Sequence, residues 1–128
     1  MPALERLSGW RIVATSDAID DARWLGDDVV VLRIAPDEAF GVGASGVEVD
    51  DPDVIAEDDR GFVGARLDPS DVQTLVAHTD WKLPTVAGEL AQGKIAGVPV
   101  KLVMGDRALL VTQAAYAHDL AERLGWLP

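Results

Sequence analysis

The sequence has 128 residues, with 22 Asp and Glu against 11 Lys and Arg and a formal net charge of -11 at neutral pH. That length predicts one domain, and 48% hydrophobic beside 26% charged residues excludes wholesale disorder. Three lysines and eight arginines are too few for a basic face against phosphates, so nucleic acid and anionic membrane are poor partners.

Residues 10–15 are rich in β-branched side chains and predict a strand. Ser16 is expected to cap a short helix running to about Leu25, with Asp17 in its first turn and Gly26 ending it. Residues 29–34 form an apolar strand, and Pro36 sets a turn that returns the chain into residues 39–42. Next comes a run of acids, Glu48, Asp50, Asp51, Asp53, Glu57, Asp58 and Asp59, broken by Pro52. It contains no base and predicts a solvated loop or hairpin over 48–59, between the two halves. Residues 1–64 hold 15 acids and 5 bases, whereas residues 65–128 hold 7 and 6. The acidity therefore belongs to one half.

Residues 61–67 predict a strand, and Asp68-Pro69-Ser70-Asp71 is a strong helix start, with an N-cap carboxylate followed by Pro at the first helical position. Val72, Leu75, Val76 and Thr79 come next at helical spacing, a stripe able to face a sheet. A loop through Pro84 and Gly88 leads to residues 95–104, where Gly97 and Pro99 indicate a bend or tight hairpin within an edge strand. Gly105-Asp106 is a turn, residues 107–112 are a strand, and Ala117, Leu120, Ala121 and Leu124 mark the buried face of a last helix stopped by Gly125. Two successive β-α-β-β units imply an α+β fold, an antiparallel or mixed sheet packed by helices on one face.

The chemistry-bearing motifs are sparse. Gly41-Val42-Gly43-Ala44-Ser45-Gly46 matches the dinucleotide fingerprint in letters. The residues after it, Val47 to Asp51, alternate like a strand and carry acids where a helix N-terminus would have to meet a pyrophosphate, so hairpin or bulge glycines are the expectation. A calcium loop beginning at Asp51 would put Ile55 at a ligand position and Ala56 where glycine is required. His118 and Glu122 stand one helical turn apart but off the apolar stripe, with no third ligand in view, so no metal site, catalytic residue or cofactor is expected. The absence of Cys removes disulfides and thiolate chemistry. No leader pattern opens the chain, and no apolar run approaches the roughly 20 residues of a membrane helix, so a soluble, cytoplasmic protein is expected. Trp10, Trp24, Trp81 and Trp126 are spread along the chain, and of these Trp81 and Trp126 are candidates for a partner surface.

The second half nevertheless has a recognisable order. The segments Thr79-Asp80-Trp81-Lys82-Leu83-Pro84, Ala91-Gln92-Gly93-Lys94-Ile95-Ala96-Gly97-Val98-Pro99-Val100-Lys101-Leu102, Asp106-Arg107-Ala108-Leu109-Leu110-Val111 and Tyr116-Ala117-His118-Asp119-Leu120 resemble the gamma subunit of heterotetrameric sarcosine oxidase. Leu32-Arg33-Ile34-Ala35-Pro36-Asp37-Glu38 is similar to the same family's strand-turn signal. The resemblance implies a fold related to the folate-binding aminomethyltransferase domain of the glycine-cleavage T-protein. It also implies an accessory chain, because in that complex the larger subunits hold the flavins, nicotinamide cofactor and folate. The expected function is non-catalytic packing on a larger oxidase or aminomethyltransferase-like partner, or self-association, through Trp81, Lys82, Leu83, Val98, Val100 and Trp126. The alternative is a free-standing domain for a folate-like ligand whose carboxylates would meet Arg66, Lys94, Lys101 or Arg107.

Overall fold

The computed structural model describes residues 2–127. Its strands run in the order β1 (Glu5–Arg6), β2 (Gly9–Val13), β3 (Arg23–Leu25), β4 (Val30–Ala35), β5 (Glu38–Val42), β6 (Gly46–Glu48), β7 (Ile55–Asp59), β8 (Phe62–Leu67), β9 (Leu90–Ile95), β10 (Val98–Val103) and β11 (Ala108–Gln113). The helices are α1 (Ser16–Asp20), α2 (Pro69–Leu75) and α3 (Ala117–Leu124). The fold is α+β, and these strands pair antiparallel throughout. The chain divides into two compact units, Leu7–Arg60 and a second made of β1 with everything from Gly61 on. The boundary falls at the end of the acidic stretch.

The acidic unit contains a four-stranded sheet, β4-β5-β2-β7, and a two-stranded ribbon, β3-β6. Its apolar cluster is small: Ile12, Ala14, Ala18, Ile19 and Ala39, with Trp24 and Val47 packed against it. Polar staples supplement it. Arg33 donates to Asp20 Oδ1 at 2.6 Å, to the Ser16 hydroxyl and carbonyl, and to the carbonyls of Ala35 and Pro36, tying α1 to the β4–β5 turn. Arg11 donates from Nε to Glu38 Oε2 at 2.6 Å, and that hydrogen bond holds its guanidinium above its ordinary pKa.

Two expectations are corrected in this unit. The first helix ends at Asp20, five residues short of Leu25, because Arg23–Leu25 forms β3 against β6 and lays the Trp24 ring on Gly41. Its cap is Thr15, whose Oγ1 accepts from Ala18 N at 3.3 Å, while Ser16 faces Arg33 instead. The acidic stretch is likewise only partly a loop. Glu48 closes β6, and residues 55–59 are β7, paired to β2 from Ile55↔Val13 to Asp59↔Gly9. Asp51 is a structural residue, accepting from the backbone N–H of Thr15 at 3.1 Å and of Asp53 at 2.9 Å. The acids of β7 line a terminal strand, where like charge discourages pairing with other chains.

The second unit is a five-stranded sheet, β1-β8-β11-β10-β9, with α2 and α3 on one face. Its core is larger: Ala65, Leu67, Ile95, Val98, Val100, Leu102, Ala108 and Leu110 from the strands, and Leu75, Leu120 and Leu124 from the helices. The helix start predicted at Asp68 is present and closes as a capping box, with Asp71 Oδ2 accepting from Asp68 N at 3.0 Å. The bend expected near Gly97 is a two-residue hairpin turn joining β9 and β10, with φ of 52° at Ala96 and 78° at Gly97. Ala96 is held there from both sides. Its N–H donates to the His78 carbonyl, and its own carbonyl accepts from Arg123. Gly125 ends α3 with φ 74°, in keeping with its place after the last periodic leucine.

Candidate functional site

A concavity of the second unit lies beside α2. The helix gives way at Val76 to a short 3₁₀ turn, Val76–His78, and the tighter winding breaks the stripe expected of Val72, Leu75, Val76 and Thr79. Leu75 stays in the core, whereas Val76 is 49% exposed. The chain then runs without regular structure to β9. Hydrogen bonds from Gly88 N to Met104 O (2.8 Å) and from Met104 N to Glu89 O (3.0 Å) tie the end of that segment to the end of β10.

Between helix and segment is a groove of about 430 Å³. Leu67, Val72, Val76, Trp81, Leu83 and Met104 supply its apolar wall, and Gln73, Lys82 and Thr85 supply polar groups. Trp81 fixes the shape. Its Nε1–H donates to the Lys94 carbonyl at 2.7 Å, and its indole lies over Gly93, where any β-carbon would come within 2.6 Å of the ring. Thr79 Oγ1 donates to the Trp81 carbonyl at 3.2 Å. A volume of this order with a mostly apolar lining suits a buried side-chain cluster or a small apolar body. The lining contains no Asp, Glu or His, so it offers no general acid or base in its wall.

Of the residues singled out for an interface, Trp81, Lys82 and Leu83 come together here. Val98 and Val100 do not belong to that surface. The register that pairs Val98 with Ile95 turns both valines inward with Leu102, leaving them 4% and 3% exposed in the core, while Pro99 and Lys101 take the other face. Trp126, beyond α3, packs on the same core but borders a separate shallow depression with Leu4, Ala117, His118 and Ala121. Sequence reasoning misses Val72, Val76 and Met104 as groove residues. The signal for the two valines is the helical stripe itself, which periodicity assigns wholly to sheet packing.

The four candidate ligand-carboxylate bases do not converge. Arg66 on β8, Lys101 on β10 and Lys94 on β9 share the sheet face opposite the helices, standing across from Leu109, Val111 and Pro99, with β11 separating Arg66 from the other two. Lys101 Nζ sits 5.4 Å from the Phe62 ring centroid. Arg107 instead pairs with Asp68 at 3.2 Å. His118 Nε2 lies 3.4 Å from Glu122 Oε2, both exposed, and among the described residues no group of three metal-ligating side chains is gathered. The Gly41–Gly46 motif is a strand-to-strand connection: Gly41 lies in β5, Gly43 turns at φ 84°, and Gly46 opens β6. No helix of the described residues is long and apolar enough to cross a membrane.

The architecture defines an antiparallel α+β protein with a groove whose wall holds no acid–base constellation. The chain matches no protein-family model and no curated protein. Among solved structures it is similar to a chain of the heterotetrameric sarcosine oxidase from Corynebacterium sp. U-96, in complex with pyrrole 2-carboxylate. The TM-score is 0.68 and the identity 12%, covering 96% of this chain and 81% of that one. The resemblance carried by the second-half segments is thus matched by a shared fold over nearly the whole chain.

Proposed function

We propose that this chain is a non-catalytic accessory subunit, similar to the gamma subunit of sarcosine oxidase, that packs on a larger oxidase or aminomethyltransferase-like partner in the cytoplasm. Its two compact units act together as one domain. The observation that carries this reading is the fold shared over 96% of the chain with a component of a heterotetrameric oxidase. The groove supports it, since Trp81 offers an anchor site of the kind that dominates binding energy at interfaces. The test is native purification from the source host at low ionic strength, with mass spectrometry of everything that elutes with the chain. Larger subunits of oxidase or aminomethyltransferase type in constant ratio are expected. A lone monomer overturns the reading.

A second reading, a free-standing domain for a folate-like ligand, is favoured by the common face of Arg66, Lys94 and Lys101. It requires reduced folates to raise the melting temperature, and Lys94→Ala with Lys101→Ala to abolish the rise.

A further inference from the structure

Resting on the accessory-subunit reading, we infer that the groove beside α2 receives a segment of the partner protein whose apolar anchor side chains are flanked by lysines or arginines. The apolar requirement comes from the wall. Leu67, Val72, Val76, Trp81, Leu83 and Met104 line it; Val76 is 49% exposed, and Val86, next to the lining residue Thr85, is 63% exposed. Exposed valines at one concavity mark a surface that gains by being covered.

The basic flanks come from charge. Asp80 precedes Trp81, Asp106 comes after Gly105, and Glu89 is the residue whose carbonyl holds Met104. All three are exposed and make no ion pair among the described residues, whereas Asp68, at the start of α2, is already matched by Arg107. Only Lys82 opposes them within the groove lining. Three other bases of the unit, Arg66, Lys94 and Lys101, lie on the opposite face of the sheet. Acids therefore border the groove at both ends, Asp80 just past the His78 carbonyl that holds the β9–β10 turn and Glu89 and Asp106 at the opposite, Met104 end, although the chain from Gly61 on is nearly neutral, with seven acids and six bases. An acidic occupant would add like charge to this rim. A basic one would be steered toward it and would screen it.

The experiment uses the full chain and a fluorescein-labelled synthetic peptide carrying leucines at helical spacing with lysines on the remaining face, read by anisotropy. A counterpart with glutamate for every lysine serves as the control. The basic peptide is expected to bind at least tenfold tighter than the acidic one, a difference of about 1.4 kcal/mol. Val76→Asn should weaken it about tenfold, and Asp80→Asn with Asp106→Asn should weaken it and flatten its salt dependence. Glu57→Gln with Asp58→Asn, acids of the other unit, should leave it unchanged.

Equal loss from the β7 variant, or none from Val76→Asn, overturns the inference in favour of diffuse charge attraction. A dimer of the chain alone that Val76→Asn dissolves assigns the groove to a second copy and also overturns it. Failure of the accessory reading is seen separately, in native purification. If larger subunits co-purify with the chain and Val76→Asn does not loosen them, only the groove assignment falls.

Discussion

Trp24 lies on Gly41 in one unit and Trp81 on Gly93 in the other, yet the surroundings of these two tryptophans differ. Around Trp24 the apolar cluster has five buried residues, all alanine or isoleucine, and the unit carries 14 acids against four bases. It compensates with fixed polar contacts: Arg33 on five acceptors, Asp51 on two N–H groups and Arg11 on Glu38. Around Trp81 the cluster has eleven buried residues backed by two helices, and there Trp81 can leave part of itself in a groove wall. Leu25, Val31 and Ile55 are exposed in the acidic unit too, but the better-cored unit is the one that shapes its apolar surface into a groove.

Substitutions in each unit probe this contrast. The largest effect is expected at Leu120, fully buried on the inner face of α3: Leu120→Ala should cost about 2–5 kcal/mol in urea unfolding. A loss under about 1 kcal/mol would mean the second unit does not depend on that core. Gly93→Ala and Gly41→Ala each press a methyl into an indole and should cost about 1–3 kcal/mol. Gly93→Ala should also shift Trp81 fluorescence, because the ring must leave its seat; an unchanged spectrum would dissociate glycine from tryptophan.

Arg33→Ala should cost about 1–3 kcal/mol, reflecting charged hydrogen bonds in a partly exposed setting. Were it neutral, the polar staples would be incidental to the acidic unit. A gain is expected at Ala96, a non-glycine residue at positive φ in the β9–β10 turn: Ala96→Asn should stabilise by about 0.5–1 kcal/mol in thermal unfolding. The smallest change in stability should come from Glu57→Gln with Asp58→Asn, within about 0.5 kcal/mol. Light scattering on concentrated samples should nonetheless rise, because the terminal strand β7 loses its repelling charge.

Local rules suffice where they act alone. Asp68 with Pro69, Gly125 after Leu124, and the Pro36 turn each sit where capping and turn chemistry place them. The failures share a cause, which is pairing between residues far apart in sequence. Nothing local announces that Arg23–Leu25 leaves the helix to join β6, or that Ile55–Asp59, four of whose five residues are exposed, becomes a strand against β2. The same holds for the candidate site. Trp81, Lys82 and Leu83 are legible as a surface loop with a tryptophan. Val98 and Val100 alternate with Pro99 and Lys101 in a way that fits either face, and only the register with β9 turns them inward. Val76 is hidden by a 3₁₀ turn that periodicity at 3.6 residues cannot anticipate.

Whether the groove of the second unit is the working surface can be decided by hydrogen–deuterium exchange on the native assembly against the isolated chain. Added protection is predicted over residues 69–76, 81–85 and 104–105, with β7 unchanged. Protection confined to β7 and the acidic stretch, with the groove exchanging as in the free chain, would contradict it.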